Sequence, residues 1–201
     1  MTFPEFIKTY DHKDSVILLE GKRKVLEEDK QKLVSLGKLL ASKSRHMKFR
    51  SGNADGADYL FSMGVAAVDK DRLEIIAPYK GHRKNYRISD NLVSIDEINL
   101  SAEPEVIYHS KTNVKSERLI DQYLKGNKKG FAIKGAYLIR DTIKVIGSSE
   151  IQAAGFAIFY EDLRKPLSGG TGHTMNVCRQ NKIPFIVQSV WFEWLKNETE
   201  K

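Results

Sequence analysis

Short apolar runs alternate with helical stripes along the first part of this chain. The runs at 15–20 (SVILLE), 47–50 (MKFR) and 73–79 (LEIIAPY) are typical of buried strands. Leucines fall along one stripe from about 25 to 44, and apolar residues recur at helical spacing from Ala57 to Val68. The pattern therefore predicts strand, helix, strand, helix and strand in succession.

This order favours right-handed βαβ units and a mostly parallel sheet. Continuous apolar strands agree with it, because parallel strands are buried on both faces. The pattern resumes with AAGFAIFY at 153–160 and IPFIVQ at 183–188. We therefore predict an α/β fold in which helices flank a mostly parallel sheet.

Two segments depart from this rhythm. Residues from about 90 to 147 contain polar and helical pieces, which we interpret as an insertion that carries helices. The aromatic segment VWFEWL predicts a C-terminal helix over about 189–197, which either packs on the sheet or forms a contact in a homo-oligomer. No repeat or low-complexity linker divides the sequence, so we predict one domain over 1–201.

Composition narrows the range of functions. Hydrophobic residues make up 41% of the 201 residues, which is enough for a substantial core. No apolar run is long enough to span a membrane and the N-terminus has no secretory pattern, so we expect a soluble, cytoplasmic protein without a membrane partner. The single cysteine, Cys178, excludes an intramolecular disulfide, and no spacing of ligand residues suggests a metal site. A net charge of +7 favours polyanions or phosphate-bearing ligands.

Three turns with glycine follow predicted strands: EGKR at 20–23, RSGNADGAD at 50–58 and SGGTGHT at 168–174. The carboxyl ends of parallel strands share one edge of the sheet, where ligands bind in open α/β folds. Glycine lets backbone amides approach a phosphate, and the amides of a following helix favour an anion. Neither long turn has P-loop spacing, and the alternative is that these glycines only make turns. Together the turns predict an anion-binding crevice.

The segments RSGNADGADYLFSMG (50–64) and SGGTGHTMNVCRQNKIPFIV (168–187) resemble the two glycine motifs of the SLOG superfamily. That superfamily includes DNA-processing protein A (DprA) and the cytokinin-activating LOG proteins. PYKG at 78–81 and Arg140-Asp141 are similar to segments of small DprA-like proteins from bacteriophages. The resemblance implies a Rossmann-like three-layer sandwich in the cytoplasm, the host cytoplasm for a phage protein, with a nucleotide or nucleic acid as its ligand.

The three turns and the resemblance together define a set of candidate ligand-binding residues. Two of them, Asn53 and Asp55, replace the glycine and the small or basic residue usual in the family, so an acid lies near the expected phosphate. The candidates are Gly21, Lys22, Arg23, Ser51, Gly52, Asn53, Asp55, Gly56, Asp58, Lys80, Arg140, Gly169, Gly170, Thr171, Gly172, His173 and Thr174.

The sequence also contains candidates for catalytic residues. In the LOG proteins a glutamate closes the second motif and serves glycosidic-bond chemistry, but here the matching residue is Asn176, which cannot act as a carboxylate. The candidate catalytic carboxylates are Asp55, Asp58 and Asp141, although Asp58 can instead brace its turn. His173 is a candidate for ligand contact, acid–base chemistry or packing.

Three functions remain open at this stage. The leading prediction is a binding protein for a nucleotide or nucleotide-derived phosphate ligand, with no other cofactor. The alternative is DprA-like binding of single-stranded DNA, since YKGHRKNYR at 79–87 interleaves cations with aromatic rings, as strand-binding surfaces do. That segment is equally typical of a solvated helix start. The third hypothesis is a nucleotide N-glycosidase.

Overall fold

Six parallel strands form the centre of the structure, a computed structural model that describes residues 1–127 and 129–199. Residues 128, 200 and 201 of the predicted domain lie outside this description. The order across the sheet is β4-β3-β2-β1-β5-β6. The strands are β1 (Val16–Gly21), β2 (Lys48–Ser51), β3 (Leu73–Ala77), β4 (Leu92–Ser94), β5 (Phe156–Tyr160) and β6 (Phe185–Val187).

Helices cover both faces of this sheet. They are α1 (Phe3–Tyr10), α2 (Glu27–Lys43), α3 (Ala57–Asp69), α4 (Pro104–Ser110), α5 (Val114–Leu124), α6 (Ile133–Ile146), α7 (Gly169–Gln180) and α8 (Gln188–Thr199). Alternate residues of β1 point to opposite faces: Ile17 packs in one core with α1, α2, α3 and α8, and Leu18 packs in another with α6 and α7. The predicted α/β fold with a parallel sheet and flanking helices is therefore confirmed. None of the described helices combines the length and apolar character that a membrane crossing requires.

Two elements were absent from the sequence prediction. Helix α1 begins at a Thr2–Glu5 capping box, which is a local signal for a helix start. Strand β4 lies within 90–147 and pairs in parallel with β3, with Leu92 opposite Ile75. A strand of three residues is too short to produce a periodic pattern, so only its pairing with β3 reveals it.

The order of the strands places a topological switch between β1 and β5. The chain builds β2, β3 and β4 outward on one side of β1 and then returns to place β5 and β6 on the other side. Helix α2 follows β1 on one face, whereas α7 follows β5 on the opposite face. Because the two connections diverge, a crevice opens beyond Gly21 and Tyr160, which are paired at the carboxyl ends of these strands.

Helices α2 and α3 approach each other closely at Gly37 and Gly64. A Cβ atom on Gly64 would lie 2.0 Å from the Val34 carbonyl oxygen and 3.0 Å from the Gly37 Cα. We expect Gly64→Ala to lower the free energy of unfolding by about 1–3 kcal/mol, because the helices must separate to admit the methyl group. Urea unfolding measures this, with the exposed Met63→Ala as control. Helix propensity alone predicts that Gly64→Ala raises the free energy of unfolding by about 1 kcal/mol. Such an increase would show that the close approach of α2 and α3 does not require glycine.

Candidate functional site

A cavity of about 800 Å³ occupies the crevice at the switch point. Its walls come from the loop after β1, from α6, from the segment that leads into α5, and from the loop between β5 and α7. Residues 169–173 of the second glycine motif line it, as do Gly21, Lys22 and Arg23. The turn at 50–58 contributes Ala54 and Asp58, so the structure brings residues of all three predicted turns to one cavity.

The first turn of α7 presents its backbone amides to this cavity. Gly169 has a φ of +64°, and a Cβ atom on Gly172 would lie 2.0 Å from the Leu167 carbonyl group. Both positions therefore need glycine. The Ser168 side chain makes no capping hydrogen bond to α7 in the described part of the chain. The free amides and the helix dipole are suited to a phosphate or another anion.

Asp58 joins the first two turns below the cavity. One of its carboxylate oxygens accepts from the Gly21 amide and the other from the Gly52 amide, each at 3.1 Å. Its side chain is buried in the first turn of α3. Both of these contacts are to backbone, so the carboxylate braces the turns.

A buried ionic network forms the floor of the cavity. The Lys144 ammonium lies 2.6 Å from a Glu20 carboxylate oxygen and 2.9 Å from an Asp141 oxygen. Arg140 lies 2.8 Å from Asp141 and donates to the Gly52 carbonyl oxygen at 2.6 Å. The network thus ties β1, the loop after β2 and α6 together in one buried set of contacts.

The charges in this floor shift one another's protonation. Burial raises the pKa of Glu20 to about 8, and the nearby Asp141 and Asp58 carboxylates add to this, while Lys144 opposes it. Burial also raises the pKa of Asp141, but the Arg140 and Lys144 cations outweigh burial and hold it below its usual value. The floor therefore largely neutralises its own charge, and the exposed rim supplies the charge available to a ligand.

His173 lies at the edge of the cavity and is largely buried. Its Nδ1 is 3.3 Å from the Thr112 hydroxyl and its Nε2 is 3.3 Å from the Thr142 hydroxyl. Burial lowers the pKa of this imidazole, so it is neutral near pH 7. These contacts connect α7 to α6 and to the residue that precedes the α5 cap, which favours the packing role among the three considered.

The structure separates the predicted site residues into two groups. Those that line the cavity are Gly21, Lys22, Arg23, Asp58, Arg140, Asp141, Gly169, Gly170, Thr171, Gly172 and His173. Those that do not line it are Ser51, Gly52, Asn53, Asp55, Gly56, Lys80 and Thr174. Asp55 is largely exposed and pairs with Arg83 at 2.5 Å, while Thr174 is buried and donates to Glu20 at 2.8 Å.

Several residues of the site were missed in the sequence. Glu20 is a charged residue at the end of an apolar strand, and Lys144 lies one turn after Arg140 within the apolar run IKVI at 143–146 of α6. Tyr137 also lines the cavity, one turn before Asp141. A charge within an apolar pattern was a signal that could have identified the first two.

Neither metal nor thiol chemistry is supported by the described residues. No group of three or more His, Cys, Asp or Glu side chains in 1–127 and 129–199 is arranged to hold a metal ion. Cys178 packs in the core beside Met175, and burial raises the pKa of its thiol to about 12. It is therefore a core residue rather than a nucleophile.

No family model matches the sequence, and no curated protein matches it. Among solved structures, the fold is similar to that of DNA processing protein A from Helicobacter pylori, described in a study of its single-stranded DNA binding mode. The TM-score is 0.55 at 16% sequence identity, and the match covers 87% of this chain. This chain spans 65% of that protein's chain. The protein therefore has a Rossmann-like α/β fold similar to that of DNA processing protein A.

Proposed function

We propose that this protein binds single-stranded DNA along the carboxyl edge of its sheet, with one backbone phosphate at the first turn of α7. The observation that carries the proposal is the combination of a cationic rim with the free amides of residues 169–171. The fold it shares with DNA processing protein A supports the same reading. We also propose, from the two glycine motifs, that the chain is a member of the SLOG superfamily.

The rim around the cavity carries more positive than negative charge. Four cations line it, namely Lys22, Arg23, Lys115 and Lys134. The acidic residues of the rim are Glu161 and Asp162, and Asp162 lies 3.8 Å from the Lys22 ammonium. Since the buried network below is largely neutral, this excess of exposed cations supports binding of a phosphate backbone.

Aromatic rings accompany these cations. Tyr137 lines the cavity, and the Arg23 and Arg140 guanidinium groups lie 6.0 and 5.6 Å from the centre of its ring. Tyr86 is 58% exposed, and Arg83 lies 4.8 Å from the centre of that ring. Cations for phosphates beside rings for bases are the usual elements of sequence-tolerant strand binding.

The test is fluorescence anisotropy with a short labelled oligothymidylate over a salt series. If four phosphates are contacted, the logarithm of affinity should fall with a slope of about −2.8 against the logarithm of salt concentration, so a change from 50 to 200 mM weakens binding about 50-fold.

The variant Gly170→Leu should weaken binding at least about tenfold, because its side chain enters the expected phosphate position beside Asp141. The control is Gly155→Leu, since Gly155 is exposed outside the cavity and a Cβ atom there meets only the Val16 carbonyl oxygen within 4 Å, at 3.9 Å.

Absence of binding at low salt, or equal binding by the Gly170→Leu variant and the wild type, would overturn this proposal.

A second candidate is a nucleotide held inside the cavity. The cavity volume of about 800 Å³, which is in the range of small-molecule pockets, favours it. A salt-tolerant rise of the thermal midpoint with a mononucleotide alone would support that candidate instead. Asn176 lines the cavity at the position of the LOG glutamate, so N-glycosidase activity is not proposed.

A further inference from the structure

A second group of buried polar atoms lies beside the cavity, in the loops that follow β2 and β3. Asn53 is 2% exposed and His82 is 7% exposed. Within the described residues, the Asn53 side-chain nitrogen, both ring nitrogens of His82 and the Arg83 Nε have no hydrogen-bond partner. Buried polar groups of native proteins are almost always paired, so four such atoms in two neighbouring loops need an explanation.

The unpaired atoms are mainly donors. The Asn53 amide nitrogen and the Arg83 Nε only donate, and a neutral imidazole has one donor and one acceptor nitrogen. A group that satisfies them must therefore offer several acceptor oxygens. A phosphate has this property, whereas a nucleobase edge presents donors and acceptors in similar numbers.

The charges around His82 also favour an anion. Arg23 from the loop after β1, Arg83 from its own segment and Arg140 from α6 all act on it, while Asp55 is the acidic group that opposes them. Burial first, and then these three guanidinium groups, lower the pKa of His82 to about 4. Two phenols also contact the imidazole: Tyr79 and Tyr137 pack edge-on against it at 5.1 and 5.6 Å.

This cluster is continuous with the cavity. Arg23, Tyr137 and Arg140 line the cavity and also face His82. Arg140 donates to the carbonyl oxygen of Gly52, the residue before Asn53. The Tyr137 ring therefore borders both the cavity and the His82 imidazole.

We infer that Asn53, His82 and Arg83 form a second phosphate subsite, which takes a backbone phosphate neighbouring the one held at the first turn of α7. This inference rests on the proposed function, and it specifies that the ligand carries at least two phosphates. An anion beside His82 stabilises the imidazolium, so binding takes up a proton. Affinity should then increase as the pH falls from 7.5 to 5.5.

The experiment is isothermal titration calorimetry of hexathymidylate without terminal phosphates, so that no phosphate of the ligand titrates near the working pH, with the full chain at pH 6. Two buffers of different ionisation enthalpy report the number of protons taken up. We expect net proton uptake by the wild type, and binding about tenfold weaker in His82→Phe and Asn53→Ala, each of which removes a donor to a charged group. His82→Gln keeps an amide donor but cannot be protonated, so it should bind more tightly than His82→Phe and take up no proton.

The control is Lys30→Ala, which removes one cation of α2 outside the cavity and should leave proton uptake unchanged. Wild-type binding without proton uptake, together with unchanged affinity in His82→Phe and Asn53→Ala, would overturn the subsite and leave the proposed function intact. No binding by the wild type would overturn both. If His82→Phe does not fold, the proton count of the wild type against His82→Gln still decides the question.

Discussion

Replacing Lys144 with methionine is expected to lower the free energy of unfolding by about 3–5 kcal/mol. The ammonium is fully buried and lies within 2.9 Å of both Glu20 and Asp141. Methionine matches the volume of the lysine but leaves the buried Asp141 carboxylate, and above about pH 8 the Glu20 carboxylate as well, without their shared cation. Breaking a buried ion pair from one side is costly. Urea or guanidinium unfolding, followed by circular dichroism, measures the loss.

Glu20→Gln is the matched control for this prediction. It removes one of the two carboxylates, so the double variant Glu20→Gln with Lys144→Met should recover part of the stability lost by Lys144→Met alone. A double-mutant cycle reports the coupling between the two residues. If Lys144→Met is as stable as the wild type, the buried network does not stabilise the fold.

Glu20 also predicts a pH dependence. Its pKa is raised from 4.5 to about 8 by burial, so the folded state binds its proton more tightly than the unfolded state does. This preference stabilises the protein fully below pH 4.5 and is lost as the pH rises through 8. As the pH rises between these two values, the free energy of unfolding of the wild type should therefore fall relative to that of Glu20→Gln. If the two stability curves run parallel with pH, the pKa of Glu20 is not raised.

Asp58→Ala is expected to lower the free energy of unfolding by about 2–6 kcal/mol, because each of two orphaned buried amides costs about 1–3 kcal/mol. The amides are those of Gly21 and Gly52, which both lose their acceptor. Asp58→Asn keeps one acceptor oxygen and should lose less. Chemical unfolding measures the stability, and hydrogen exchange at Gly21 and Gly52 reports the local effect.

Asp55→Ala is the control within the same motif. Asp55 is largely exposed, so water screens its ion pair with the partly buried Arg83, and we expect a change of at most about 1 kcal/mol in the free energy of unfolding. Equal losses in Asp55→Ala and Asp58→Ala would show that Asp58 does not brace the turns. The two residues differ in role because only Asp58, in the first turn of α3, accepts from the Gly21 and Gly52 amides.

The sequence by itself determined the α/β class, four of the six strands in place and the two glycine motifs. Apolar strand runs, helical stripes and glycine turns are local, so each can be read within about ten residues. The glycine turn at 168–174 was predicted for the same reason, since the need for glycine at Gly169 and Gly172 depends on the backbone next to them. A fifth strand, β6, was also predicted, but at three residues it is shorter than its apolar run.

Only the tertiary structure decided which residues share the site. Glu20, Asp141 and Lys144 come from distant parts of the chain, and their contact depends on the placement of α6 against β1. The edge strand β4 exists because β3 offers it a partner, and the unpaired His82 is buried because α6 supplies Tyr137. Strand order and charge pairing are long-range properties, and a single sequence records neither the neighbours of a buried charge nor the shift in its pKa.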